Sequence, residues 1–330
     1  MTEANYKHRG LRKARPLAAL RYAIACLAMA TSLVHPVTAF EPIRPLPQSI
    51  DHLPALVALG KKLFFEPALS ADGTVSCASC HAPEFGWADP RPVSIGVHGR
   101  TGSLNAPTVL NAYFNFRQFW NGRAGDLQEQ AAGPIHNPVE MDMSPEAALR
   151  RLRQDPSYDA AFAAAFPGVE WDFSHVTRAI AEFEKTLITP NSRLDRYLRG
   201  EIQLTASESE GYRLFKQLGC VTCHNGINIG GNSYQYMGAL IPTEIDAAGA
   251  DRYALTGNEF DRNRFKVPTL RNILQTAPYL HDGSQSDLKK IVELMGYHNL
   301  GFRLKDEEAD LILVFFQTLT GETPEIAHRQ

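Results

Sequence analysis

Apolar residues at helical spacing dominate this chain, and the alternation expected of strands is scarce. The periodicity predicts helices over 56–63, over 146–153 behind a Ser144-Pro145 start, over 176–187, over 288–295 and over 307–319. A further helix opens at Thr205-Ala206-Ser207-Glu208 and runs towards Gly219. That tetrapeptide is a capping box, in which the Thr hydroxyl and the Glu carboxylate satisfy amide donors that a helix start leaves unpaired. Gly and Pro break the long stretches 83–138 and 226–278, so these are loops that take their order from whatever they cover. Two of the predicted helices carry a Leu-Phe pair, Leu63-Phe64 and Leu214-Phe215, ahead of a cysteine cluster. Two units of similar plan are expected, with a repeat that is weak outside those positions.

Length and composition allow one or two globular domains: 330 residues, 44% hydrophobic and 21% charged. A formal net charge of −3 offers no broad attraction to nucleic acid or to an anionic membrane, so any charged docking patch is local. Lys7, Arg9, Arg12, Lys13, Arg15 and Arg21 precede an apolar stretch at 22–34 and the small residues Val37-Thr38-Ala39. This is the layout of a secretory signal peptide cleaved after Ala39, because the apolar run is short for a membrane span and His35-Pro36 closes it. The expected organisation is a signal at 1–39, an N-terminal domain at 40–200 and a C-terminal domain at 201–330. The Pro-rich lead, 41–54, is expected to run extended over the surface. Of five cysteines, Cys26 lies in the signal and four belong to two copies of one motif, which leaves no disulfide framework.

The copies are Cys77-Ala78-Ser79-Cys80-His81 and Cys220-Val221-Thr222-Cys223-His224. Two thiols one helical turn apart meet the two vinyl groups of a haem, and the His that follows reaches the iron from the proximal side. Zinc would gather four ligands in one place, and a redox disulfide has no need of His in both copies. The chain is therefore expected to be secreted and to hold two covalently bound haems c. A protein ligand at the sixth position of an iron favours electron transfer, and an open position favours chemistry. Met295, at the end of a predicted helix and followed by Gly296, is a candidate for one iron, although a Met on an apolar helix face commonly packs in a core.

From Leu59 to about Gly301 the chain resembles the bacterial di-haem cytochrome c peroxidase and MauG family. Beside the haem motifs, the match rests on Leu104-Asn105-Ala106-Pro107-Thr108-Val109-Leu110-Asn111, Gln118-Phe119-Trp120-Asn121-Gly122-Arg123-Ala124, Gln130, Gly133-Pro134 and Val139-Glu140-Met141. It continues in Val267-Pro268-Thr269-Leu270-Arg271-Asn272 and Pro278-Tyr279-Leu280-His281-Asp282-Gly283. The resemblance implies a mainly α fold of two cytochrome c-like haem domains with long ordered loops and little β. It implies that His81 is the proximal ligand of a peroxidatic N-terminal haem and His224 that of an electron-accepting C-terminal haem. Glu140 then matches the distal acid–base group, Gln130 a hydrogen-bonding neighbour in the same pocket, and Trp120 the stepping point between the haems. The chemistry agrees, because breaking a peroxide O–O bond requires a proton moved from the inner to the leaving oxygen, which a positioned carboxylate relays. Asn105, with the carbonyls of Thr276 and Pro278, resembles the family's calcium site, a set of hard oxygen ligands.

Two positions bear on the subtype. Met295 falls where the peroxidases place an axial Met and MauG a Tyr, which implies a His/Met high-potential haem. In Ile95-Gly96-Val97-His98-Gly99, alignment through Asn105 puts Val97 where many of the peroxidases carry a removable distal His. The expectation is an open sixth site above His81 and no need for prior reduction, with His98 as the alternative ligand after a local shift. Hydrogen peroxide is the expected substrate, a small periplasmic cytochrome c or cupredoxin the expected donor, and a homodimer a family expectation. Two other functions stand beside this one. A MauG-like oxidase of a partner protein is opposed by Met295 and kept open by Val97. A non-catalytic di-haem electron carrier would have no need of Glu140, Gln130 and Trp120.

Overall fold

The computed structural model describes residues 41–243 and 249–327, and the expected signal segment lies outside them. Helices α1 (Pro54–Phe64), α2 (Cys77–Cys80), α3 (Leu127–His136), α4 (Pro145–Leu152), α5 (Pro156–Ala165) and α6 (Phe173–Lys185) come first. They are followed by α7 (Arg193–Leu198), α8 (Ala206–Gln217), α9 (Tyr253–Thr256), α10 (Leu288–Leu294) and α11 (Asp306–Gln317). Strands β1 (Tyr234–Tyr236) and β2 (Arg264–Lys266) pair antiparallel, Tyr234 opposite Lys266. No helix among the described residues is long and apolar enough to cross a membrane.

The helices expected from periodicity are present to within a few residues. The box at Thr205 closes both its bonds: the Glu208 amide donates to Thr205 Oγ1 at 3.3 Å and the Thr205 amide to Glu208 Oε2 at 2.8 Å. Periodicity missed α3, α5 and α7, although each opens on an N-cap side chain, Asp126, Asp155 and Ser192. Gly133 and Pro134 interrupt α3, α5 is rich in alanine on every face, and α7 is too short to show a period.

Two hydrophobic cores are built alike. In the first, α1 lies so close to α6 that a Cβ on Gly60 would overlap the Ala179 carbonyl and come within 2.8 Å of Phe183 Cβ. In the second, α8 approaches α11 in the same way, with Gly211 against the Leu311 carbonyl and 3.0 Å from Phe315 Cβ. Each glycine begins a Gly-x-x-Leu-Phe run, 60–64 and 211–215, whose Leu and Phe enter the core. Phe64 meets Trp87 and Phe183 at ring distances of 5.7 and 5.4 Å, and Phe215 meets Phe315 at 5.1 Å. Each such side chain contributes roughly 1.5–3 kcal/mol by burial.

The lead forms no helix or strand before Pro54 and lies mostly exposed over 47–54 as expected, but its first residues do not stay on the surface. Ile43 is 1% exposed and joins the second core, and Leu46 is buried too. The Arg44 amide donates to Gly226 O at 3.3 Å and the Gly226 amide to Pro42 O at 2.8 Å, so the lead is stitched to the loop after the second haem motif. At the other end, Ile326 and Ala327 pack on the first core.

Candidate functional site

Ser76 and Ser79 cap the single turn α2, which puts Cys77 and Cys80 on one face and hands the chain to His81. A 3-10 turn, Cys220–Thr222, does the same ahead of Cys223 and His224. The four thiols form no disulfide, and burial pushes their pKa up, that of Cys220 to about 11. Burial holds both histidines neutral, lowering His224 to about 4. Nδ1 of His224 lies 3.4 Å from Ile229 O, with the Pro268 carbonyl also beside it. Nδ1 of His81 is buried without a completed hydrogen bond, next to the carbonyls of Trp87 and Pro107. A neutral imidazole whose Nδ1 faces carbonyl oxygen presents the Nε2 lone pair, the form that an iron ligand takes. Two sets of unpaired thiols, each with a neutral buried His, fit one haem at each motif.

The carbonyls beside these histidines are held by a second repeat, Pro107-Thr108-Val109-Leu110-Asn111 and Pro268-Thr269-Leu270-Arg271-Asn272. Thr108 Oγ1 donates to Gly86 O at 2.6 Å and the Val109 amide to Trp87 O at 3.1 Å. Thr269 Oγ1 donates to Asn228 O at 2.7 Å and the Leu270 amide to Ile229 O at 3.2 Å. Trp87 and Ile229 are both left-handed, with φ of 59° and 49°, a conformation that side-chain-bearing residues keep only where the surroundings impose it. The side-chain amides of Asn111 and Asn272 meet on one hydroxyl, Thr189 Oγ1, at 2.8 and 2.9 Å. Arg271 adds a tie of its own: it donates to Ile227 O at 2.7 Å, to Asp195 Oδ2 and Oδ1 at 3.1 and 2.9 Å, and to Arg44 O at 3.1 Å. The His224 loop is thereby fastened to α7 and to the lead.

On the other side of the first motif, Gly96 brings the 95–99 turn against 139–140. A Cβ there would overlap Val139 O and lie 2.5 Å from Glu140 O. The Val97 amide donates to Glu140 O at 2.8 Å, and the Val97 side chain is fully buried. His98, at φ 56°, turns outward, with its amide donating to Asp72 Oδ2 at 2.8 Å and its ring 3.5 Å from that carboxylate. Burial raises the pKa of Glu140, and the Asn137 side chain donates to Glu140 Oε1 at 2.5 Å. Gln130 sits on α3 and Glu140 on the turn that follows, where the Met141 amide returns to Pro134 O at 3.2 Å. The Gln130 side chain makes no hydrogen bond to a described residue. Sequence reasoning passed over Asn137 and gave Arg123, part of a matched segment, no role of its own. The Arg123 guanidinium lies 3.4 Å over the Phe119 ring, and its charge acts on Glu140.

Trp120 touches both halves: its indole Nε1 donates to Asn105 O at 3.0 Å, and its carbonyl accepts from the Lys266 amide at 2.7 Å. The side-chain amide of Asn105 donates to Arg91 O at 3.1 Å and Pro92 O at 3.3 Å, while its Oδ1 takes no hydrogen bond from a described residue. The Asn105 amide donates to His281 O at 2.8 Å, in the turn between Tyr279 and Gln285 that follows Thr276 and Pro278. Among the described residues no group of three or more His, Cys, Asp or Glu is placed to hold a metal, so a cation here would rest on amide and carbonyl oxygens. Met295 opens a π-helical segment, Met295–Asn299, and Asn299 Nδ2 lies 3.0 Å from its sulfur. Such segments recur at functional sites.

Comparison with known proteins gives the family of the chain. The family model described as di-haem cytochrome c peroxidase matches residues 54–203. The cytochrome c551 peroxidase of Nitrosomonas europaea is 47% identical over 88% of this chain and 87% of its own length. The cytochrome c peroxidase of Escherichia coli is 45% identical over 88% of this chain and 63% of its own length. Among solved structures, a MauG-like protein associated with microbial copper homeostasis superposes with a TM-score of 0.74 at 29% identity, over 89% of this chain and 97% of that one.

Proposed function

This chain belongs to the di-haem cytochrome c peroxidase family, an oxidoreductase family acting on peroxide, and from that premise we propose a division of labour between its two haem groups. Hydrogen peroxide is reduced to water at the haem held by His81, and electrons from a small cytochrome c or cupredoxin enter at the haem held by His224. The expected signal peptide places the enzyme in the periplasm. The observation that carries the reading is the backbone contact of Gly96-Val97 with Val139-Glu140, which joins the segment of the half-buried Glu140 to a fully buried aliphatic residue, at the position where the resemblance puts a removable ligand.

Each haem, when bound, supplies one-electron chemistry at its iron. The remaining work falls to the chain. Glu140, carrying a raised pKa, takes the proton from the inner oxygen of peroxide and returns it to the outer oxygen as that bond breaks. Two electrons and two further protons complete two waters. The Asn137 amide fixes Glu140 Oε1, and Gln130 holds the peroxide or product water with its unengaged amide. The Val97 side chain fills its position without offering a nitrogen, and Met295, with Asn299 against its sulfur, would be a ligand to the iron of the second haem. Trp120 carries electrons between the halves that it bridges, and Asn105 Oδ1 with the carbonyls of Thr276 and Pro278 would hold a Ca²⁺ that steadies that join.

The test is peroxide-dependent oxidation of a reduced small cytochrome c by the holoprotein. Wild type is expected to turn over, and Glu140→Gln to lose a factor of about 10²–10⁴ with haem content unchanged. Inactive wild type, together with an unaltered Glu140→Gln, would sink the reading. Oxidation of a partner protein is a second reading that draws on Val97, and Met295 opposes it.

A further inference from the structure

We propose that Lys266 is the counter-ion of a propionate on the haem held by Cys220, Cys223 and His224, an inference that rests on the two-haem reading above. Lys266 closes β2 and is only 7% exposed, yet its ammonium has no hydrogen-bond or ion-pair partner among the described residues. The other deeply buried Lys or Arg among the described residues, Arg271, has Asp195 against it. Burial alone draws the Lys266 pKa down to about 8, so at neutral pH most molecules carry the ammonium charge on a largely buried side chain. An uncompensated buried charge is among the most costly features a fold can carry, and the remedy is an anion. The described residues supply none, and a haem brings two carboxylates on the edge remote from its thioether bonds.

The position of the strand selects which haem. β2 runs directly into Val267-Pro268, and the Pro268 carbonyl stands beside His224 Nδ1. The Lys266 amide donates to Trp120 O at 2.7 Å, and Tyr234 lies opposite in β1. The ammonium thus belongs to the segment that joins the His224 loop to Trp120. A propionate paired there would fix the edge of that haem against the residue that bridges the halves. The positive charge also disfavours the more positive ferric state, and so raises the midpoint potential.

The test is a spectroelectrochemical titration of both haems in holoprotein at pH values on either side of neutral, with covalent haem counted in each variant. Lys266→Met is expected to keep two haems, to lower the potential of the His224 haem, and to make that potential fall with rising pH as the freed propionate titrates. Lys266→Arg restores the wild-type potential. Lys266→Gln, polar but uncharged, serves if the Met variant does not fold, with the same expected shift. An unchanged potential, or a shift confined to the His81 haem, overturns the pairing. Fewer than two haems on the wild-type chain would instead overturn the reading beneath it.

Discussion

Replacing Arg271 by Leu removes the guanidinium from a pair in which both side chains are wholly buried. Four hydrogen bonds are lost, two to Asp195 at 3.1 and 2.9 Å, one to Ile227 O at 2.7 Å and one to Arg44 O at 3.1 Å. Breaking a buried ion pair from one side costs about 3–5 kcal/mol, because the surviving charge is stranded. Asp195 keeps the amides of Leu46 at 3.1 Å and Ser192 at 3.3 Å, which soften that stranding. The expected loss is therefore at the low end, about 3 kcal/mol, read as a fall in the urea midpoint of the holoprotein followed by far-ultraviolet circular dichroism. Adding Asp195→Leu removes the stranded carboxylate, so the double variant should recover at least about 1 kcal/mol relative to the sum of the single changes. A single-variant cost under about 1 kcal/mol, or strict additivity in the cycle, would refute the assignment of this pair as the fastening of the His224 loop.

Three further outcomes follow from other contacts. Gly96→Ala pushes 96–97 away from Val139 O and Glu140 O, and should cost about 1–3 kcal/mol while lowering peroxide turnover; full activity would contradict the packing of Glu140. The raised pKa of Glu140 means that its basic form is lost as pH falls, so turnover in wild type should decline through a pKa above the ordinary 4.5, and this limb should vanish in Glu140→Gln. Glu184 is 4% exposed, and burial pushes its pKa up to about 8, so the fold favours its protonated form. Its contribution to stability is intact below the ordinary value of 4.5 and is lost as pH rises towards 8. Glu184→Gln should match wild type in acid and gain on it by roughly 1.4 kcal/mol per pH unit across that window, measured by thermal unfolding; parallel profiles would contradict the burial.

Much of the fold was legible where a local rule acts alone. The capping box at Thr205, the Ser-Pro start at 144–145 and the Cys-x-x-Cys-His motifs each specify their own geometry within five residues. What stayed hidden depends on distant partners. Gly133 looks like a helix breaker until the Phe119 ring is placed 2.9 Å from where its Cβ would stand. The Pro-Thr-x-x-Asn repeat escaped notice because Pro107 follows His81 by 26 residues and Pro268 follows His224 by 44, so no fixed period links them. Asn137 and Lys266 carry no motif of their own, Arg123 shows no role within its motif, and the environments of all three depend on residues distant in sequence. The lead shows the same limit, since prolines announce an extended chain but say nothing of where Ile43 and Leu46 will dock.

The claim that the two haems are unequal is tested most directly by an EPR spectrum of the fully oxidised holoprotein. With Val97 buried beside Glu140 and His98 turned to Asp72, the haem held by His81 should give a high-spin signal, and the haem held by His224 with Met295 a low-spin one. A purely low-spin spectrum from both would contradict the account.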